Sequence, residues 1–274
     1  MRPFLIVFGM AIPMFFVMAM LAIIVSFGLV LACTRKSNRL DAVHYFVVII
    51  CGAFVGAWLL HTLVNLPRII NAWQIISATM TLTNALEYVF TQLSGMVFYG
   101  GLLGGLAAML AYSKYFKVPL LPFMDMFAPI VLVAHAVGRL GCFFAGCCYG
   151  MVIDASHPLA IVYPPGSLGA PYGVPLLAMP LIEASFNLII AGAIYIFVRI
   201  KRPSRPGYCV VIYLLAYPAV RFILEFFRGD IMRGVLLGMS TSQWISIGLF
   251  SAGVALYISL RRNVYIPYNQ KQGS

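Results

Sequence analysis

Seven stretches of roughly twenty mostly apolar residues dominate this chain of 274 residues, near 10–33, 42–64, 94–113, 121–137, 180–199, 207–226 and 241–260. A helix needs about 20 apolar residues to cross the hydrocarbon core of a bilayer. Within that core only helices and closed barrels survive, because an unpaired backbone polar group finds no water there. Barrel strands would alternate polar and apolar positions over about ten residues, and no segment does so. The expected fold is an all-α integral membrane protein with about seven transmembrane helices. With 62% hydrophobic and 9% charged residues, little of the chain is left for a water-soluble domain.

The formal charge of +11 does not indicate a nucleic-acid partner, because the basic residues fall at alternate span ends. Arg35, Lys36 and Arg39 follow the first span, Lys114 and Lys117 the third. Arg199, Lys201, Arg202 and Arg205 follow the fifth, and Arg261, Arg262 and Lys271 the seventh. Cytoplasmic loops collect Lys and Arg, so this pattern predicts an extracytoplasmic N-terminus and a cytoplasmic C-terminus. Arg68, Arg139, Arg228 and Arg233 then mark the outer ends. The surplus charge serves topology and contact with anionic lipid in the bilayer. Val30-Leu31-Ala32-Cys33 resembles a lipoprotein cleavage box, but its basic cluster follows the apolar run and the run exceeds a signal-peptide core. A retained helix is expected. One membrane domain spans 1–262, with extracytoplasmic excursions near 65–93 and 138–179, and a cytoplasmic tail over 263–274. No internal repeat is visible.

Against this apolar background a few polar residues stand out. A charge within a membrane span costs at least about 2.5 kcal/mol, so it usually serves a function. Arg139 lies in Gly138-Arg139-Leu140-Gly141-Cys142-Phe143-Phe144-Ala145-Gly146-Cys147-Cys148-Tyr149-Gly150. Such glycine density lets backbone approach a ligand. An arginine at a bend there would form an anion-binding concavity; the bland alternative is a helix-packing corner whose arginine reaches the headgroups. In the sixth span Arg221, Glu225 and Arg228 are spaced i, i+4 and i+7, one helical face. A carboxylate between two guanidiniums orients both for a phosphate, or simply ties down a helix end. Tyr99 precedes Gly100, Gly101 and Gly104, small residues that serve either helix packing or a cavity wall. Asp125 and Glu183 either orient an arginine or are structural. Cys142, Cys147 and Cys148 lack the further ligand pair of a zinc site; they either include a disulfide, Cys142 to Cys147 or Cys148, or pack as small hydrophobes. No metal and no cofactor is expected.

These motifs resemble the bacterial prolipoprotein diacylglyceryl transferases. The resemblance runs in order over about 40–260: Phe98-Tyr99-Gly100-Gly101, Asp125-x-x-Ala128-Pro129, Gly138-Arg139-x-Gly141, Pro180-x-x-Glu183-Ala184, Arg221-x-x-x-Glu225-Phe226-Phe227-Arg228 and Ser240-Thr241-Ser242-Gln243-Trp244. It implies a seven-helix membrane domain, N-terminus out. It also implies transfer of the diacylglyceryl group of phosphatidylglycerol, or another anionic phospholipid, to the cysteine thiol of a lipoprotein signal peptide. Glycerol phosphate leaves, and the setting is a bacterial cytoplasmic membrane. By resemblance Arg139 and Arg221 grip the phosphate, Glu225 holds Arg221, and Tyr99 completes the catalytic set. Gly100, Gly101, Gly104, Gly138, Gly141, Cys142, Glu183, Arg228 and Gln243 would line the substrate site.

Two departures bear on that reading. Tyr99 stands where the family has a histidine, and a phenol with a reference pKa near 10 is a poor base at neutral pH. Among His44, His61, His135 and His157, only His135 is placed to substitute for it. The family's Asn-Phe-x-Asn-Gly-Glu becomes Cys142-Phe143-Phe144-Ala145-Gly146-Cys147. A paralogue with another acceptor would show this pattern. The rival functions are a carrier or channel for an anionic solute and a phospholipid-binding membrane protein without catalysis.

Overall fold

The computed structural model describes residues 3–7, 10–34, 38–79, 98–201, 205–230 and 235–262. Seven helices account for most of them: α1 Met14–Cys33, α2 Arg39–Thr79, α3 Phe98–Phe116, α4 Leu120–Ala145, α5 Met179–Lys201, α6 Tyr208–Leu224 and α7 Thr241–Arg262. Three two-stranded antiparallel hairpins complete the described structure. They pair β1 Phe4–Val7 with β2 Met10–Pro13, β3 Ala160–Val162 with β4 Pro175–Leu177, and β5 Val235–Leu236 with β6 Met239–Ser240. Among the described residues six helices are long and apolar enough to cross a membrane. The exception, α3, is diluted by Gly100, Gly101, Gly104 and Gly105.

The chain forms two compact units, Thr34–Leu120 and the combination of Met1–Cys33 with Leu121–Ser274. In the first, α2 and α3 lie against each other along facing glycines. A Cβ on Gly100 would strike the carbonyl oxygen of Gly56, and one on Gly104 would strike that of Gly52. Gly52 and Gly56 on α2 thus match Gly100 and Gly104 on α3, a small-xxx-small surface on each helix that brings the backbones together. Tyr45 and Tyr112 meet edge to face with centroids 4.7 Å apart, and the Ser113 hydroxyl donates to the Val118 carbonyl at 2.8 Å. The excursion expected from residue 65 begins as helix, since α2 continues through Pro67 to Thr79, while its stretch apolar enough to cross a membrane ends at Pro67. Proline removes one helical hydrogen bond, a loss that membrane helices tolerate. Residues 80–93 of that excursion and the tail 263–274 lie outside the described residues.

The second unit packs α4, α5 and α6 around Ala128, Leu132, Ile190, Ala191 and Ile194. Asp125 resolves into a structural role. Its carboxylate accepts from the backbone N–H of Gly207 at 2.6 Å and of Val210 at 3.0 Å, closing the N-terminus of α6. The sequence places a bend at Gly138, but α4 runs unbroken to Ala145. Breaking a helix within hydrocarbon would strand its backbone groups, and Gly141 uses its bare face to seat α1 through Phe15 and Met18. The chain turns at Gly146 instead. Its φ of 68° and the bonds Gly146 N–H to Phe143 O and Cys147 N–H to Cys142 O make a Schellman stop.

From that stop the chain pairs with the segment leaving α6. Met151 N–H donates to Phe227 O at 2.9 Å and Gly229 N–H to Tyr149 O at 3.1 Å, with Gly150 bridged to Arg228. This ladder pulls the end of α6 out of register. Glu225–Phe227 tighten into a 3-10 turn and Arg228 is extended, with φ −79° and ψ 141°. Arg221, Glu225 and Arg228 therefore do not share one continuous helical face, contrary to the spacing argument. Large apolar side chains such as Phe16, Ile24, Ile189 and Ile196 are exposed, whereas Glu183, Asn187, Arg221, Ser242 and Gln243 are buried. That inverted distribution suits a lipid solvent.

Candidate functional site

The fold brings three arginines to one carboxylate. Glu183, near the start of α5 and 5% exposed, receives Arg139 Nε on Oε2 at 2.6 Å. Its Oε1 takes Arg228 Nη1 at 2.7 Å and Arg221 Nη1 at 3.3 Å. The donors come from α4, from the extended segment after α6, and from α6 itself. Glu183 thus performs the bridging that the sequence assigns to Glu225. Glu225 does hold Arg221, Oε2 to Nη2 at 2.6 Å, but Arg228 turns away from it. Arg228 instead forms a two-pronged pair with Asp230, Nε to Oδ1 and Nη2 to Oδ2, both at 2.7 Å. Ser242 at the start of α7 accepts from Arg221 Nη2 at 3.2 Å.

Three guanidiniums and three carboxylates (Glu183, Glu225 and Asp230) make the cluster electrically balanced as built. Burial works against the charge of Arg228, but the Asp230 bond and the Glu183 charge outweigh it and hold its pKa above the ordinary arginine range. Arg139 is the most open of the three arginines, its side chain 13% exposed. Only its Nε is engaged among the described residues, by Glu183 and by His135 Nε2 at 3.3 Å. Its two Nη groups, four N–H donors in a planar fork, point to no protein acceptor there. That is the geometry for an oxyanion with two oxygens in one plane. A small recess between α5 and α6, lined by Glu183, Asn187, Tyr217, Val220, Arg221 and Leu224, adjoins the cluster.

His135 accepts from Arg139 and rests against Tyr217 with ring centroids 5.4 Å apart. Its Nε2 lone pair is therefore turned to a guanidinium, which counts against it as a free base.

Other expected site residues are placed differently. Gly100, Gly101 and Gly104 face α2 backbone, so the space beside them is filled by a helix and not open to a substrate. Tyr99 is helical in α3, and its side chain lies outside the described residues. Gly141 faces α1, whereas Gly138 has open space at its α-carbon. Gln243 caps α7: its Oε1 accepts from Ser240 N–H at 2.9 Å while its own N–H donates to Ser240 Oγ at 3.2 Å. This reciprocal capping box occupies the amide oxygen that was expected to meet substrate. Cys142 converges with Cys147 and Cys148, and none of the six cysteines forms a disulfide. Asp230 and Ser242 were missed as members of the cluster. The Arg228-Gly229-Asp230 spacing was the available signal for Asp230, and Ser242 sits inside a motif already singled out.

Fold and site together define a polytopic α-helical membrane protein with a buried guanidinium–carboxylate centre. The family model for prolipoprotein diacylglyceryl transferase matches residues 3–259. A phosphatidylglycerol–prolipoprotein diacylglyceryl transferase of Clostridium tetani is 29% identical over 243 residues, covering 87% of this chain and 90% of that protein. A second of that name from Paracidovorax citrulli is 34% identical over 183 residues, 66% of each chain. One from Clostridium perfringens is 34% identical over 164 residues, 60% of this chain and 62% of its own. The chain belongs to the prolipoprotein diacylglyceryl transferase family.

Proposed function

We propose that this protein transfers the diacylglyceryl group of phosphatidylglycerol to the cysteine thiol of a lipoprotein signal peptide, in a bacterial cytoplasmic membrane with its N-terminus outside. The family membership supports the reaction, and one observation ties it to this chain: arginines from α4 and α6 share a single buried carboxylate. In the reaction the peptide sulfur forms a bond to the glyceryl carbon. The carbon–oxygen bond to phosphate breaks, glycerol phosphate departs with the electron pair, and the thiol proton is lost. Because the thiolate is the attacking species, the nucleophile belongs to the peptide substrate.

The leaving group gains negative charge, and prearranged cations at that position lower the barrier. Arg139 is assigned to the phosphate through its open Nη fork. Glu183 and Glu225 position Arg221, with Glu183 and Asp230 doing the same for Arg228. Fixed beforehand, these groups need not reorganise during the reaction.

Intact-mass measurement of a lipobox peptide incubated with the purified protein and phosphatidylglycerol tests the reading. A mass gain of one diacylglyceryl group, lost in Arg139→Ala and Arg221→Ala, is expected. Full activity in both variants removes them from the mechanism. Anion flux into liposomes without a modified peptide points to a carrier, and co-purified phospholipid without turnover to a non-catalytic lipid-binding protein.

A further inference from the structure

The described residues hold a second cluster of chemically capable side chains, just beyond the arginines. The thiols of Cys142, Cys147 and Cys148 all lie within 4.8 Å of one another. Their convergence follows from the Schellman stop of α4. Cys142 is the fourth residue from the end of α4 and Cys147 the second residue past Ala145, the two positions that such a turn brings together, ordinarily with an apolar contact. The Cys147 thiol reaches the Cys142 carbonyl at 3.6 Å. Cys148 then adopts a left-handed backbone with φ 57°, uncommon for a residue bearing a side chain. Such strain persists where the surrounding structure requires a particular side-chain position.

A further observation points to a ligand. Tyr163 is wholly buried and its hydroxyl has no hydrogen-bond partner. Its ring lines the turn at Gly146, the residue just before Cys147 and Cys148. An orphaned buried donor beside three sulfurs has an acceptor as soon as one sulfur becomes a thiolate. Packing cysteines need no such neighbour.

We propose that Cys142, Cys147 and Cys148 form a three-sulfur site for one soft d10 metal ion, of the Cu(I) class. The donor set selects it: three thiols, with no carboxylate or imidazole among them, favour soft ions. Three thiolates about 2.3 Å from a common ion stand about 4 Å apart in a trigonal plane. The sulfurs therefore need only a small contraction from their present separation. Zn(II) would require a fourth donor. Each ligating thiol releases its proton on binding, so affinity rises with pH. Tyr163 donates to a bound sulfur, and Arg139 and Arg228 offset the surplus negative charge. The site shares Arg139 and Arg228 with the proposed transfer centre, but its test does not use the transfer activity.

The full chain, purified in detergent under anaerobic reducing conditions, is titrated with Cu(I) against a chromophoric Cu(I) chelator. One equivalent per chain is expected, retained in the Cys33→Ser/Cys51→Ser/Cys209→Ser triple variant and lost in Cys142→Ser/Cys147→Ser/Cys148→Ser. Cys148→Ser alone should weaken binding roughly 100-fold, since even losing an outer partner of a ligand costs about 10–100-fold. Maleimide labelling read by peptide mass gives a second measure, independent of any variant. Cu(I) should protect these three cysteines in the wild-type protein and leave Cys33 and Cys51 reactive. Equal Cu(I) uptake by the wild type and the variant lacking the three thiols overturns the proposal, as does labelling of the three thiols that Cu(I) does not change.

Discussion

Replacing Glu183 by Gln removes one charge from the point where three guanidiniums meet. The side chain keeps its shape, so the effect is electrostatic. Arg139, Arg228 and Arg221 now lie 2.6, 2.7 and 3.3 Å from the carboxylate oxygens, and all are at least largely buried. Breaking a buried ion pair by removing one partner costs about 3–5 kcal/mol. Since one carboxylate serves three cations, the upper end applies, about 5 kcal/mol. For a protein of this size each kcal/mol lowers Tm by about 2–4 °C, so a fall of roughly 10–20 °C is expected in detergent. Phosphatidylglycerol should restore more of that loss in the variant than it adds to the wild type, because the lipid phosphate supplies the missing negative charge. Transfer should fall about 100-fold, the equivalent of some 3 kcal/mol of transition-state stabilisation, mainly in kcat. Thermal melting with and without lipid, alongside the peptide mass assay, checks both parts. A Glu183→Gln protein that melts within 2 °C or so of wild type and turns over normally would show that Glu183 does not organise the arginines.

Arg139→Lys should retain a cation but lose the planar fork, leaving transfer well below wild type with little change in Tm, as measured by the same two assays. Gly104→Val should disrupt the α2–α3 contact, since even its Cβ meets the Gly52 carbonyl; overpacking costs about 1–3 kcal/mol and should appear as a lower Tm. Gln243→Ala should cost about 1 kcal/mol through the lost cap while transfer persists; a variant that melts normally but cannot transfer would return Gln243 to the substrate site. Tyr99→Phe tests the phenol directly: a normal rate removes it from the mechanism.

The membrane class, the seven helices and the special standing of Arg139 and Arg221 were legible in the sequence. Hydrocarbon imposes length and apolarity on every span, so a charge that persists there is visible without coordinates. The glycines of α3 could not be assigned so directly. Gly100 and Gly104 have the same sequence character whether they face a lipid or a helix, and only the facing Gly52 and Gly56 decide between them. Helical spacing likewise joined Glu225 to Arg228, because it assumes that α6 continues. The backbone ladder from Tyr149–Met151 ends that helix and hands Arg228 to Glu183 and Asp230. Glu183 is 45 residues from Arg228 in the chain, and no local pattern carries a pairing over that distance. What each residue is able to do follows from its own chemistry and its immediate neighbours, and the sequence states both. Which residues meet is set by how distant segments pack and pair, and for Glu183 and its arginines only the folded chain supplies that information.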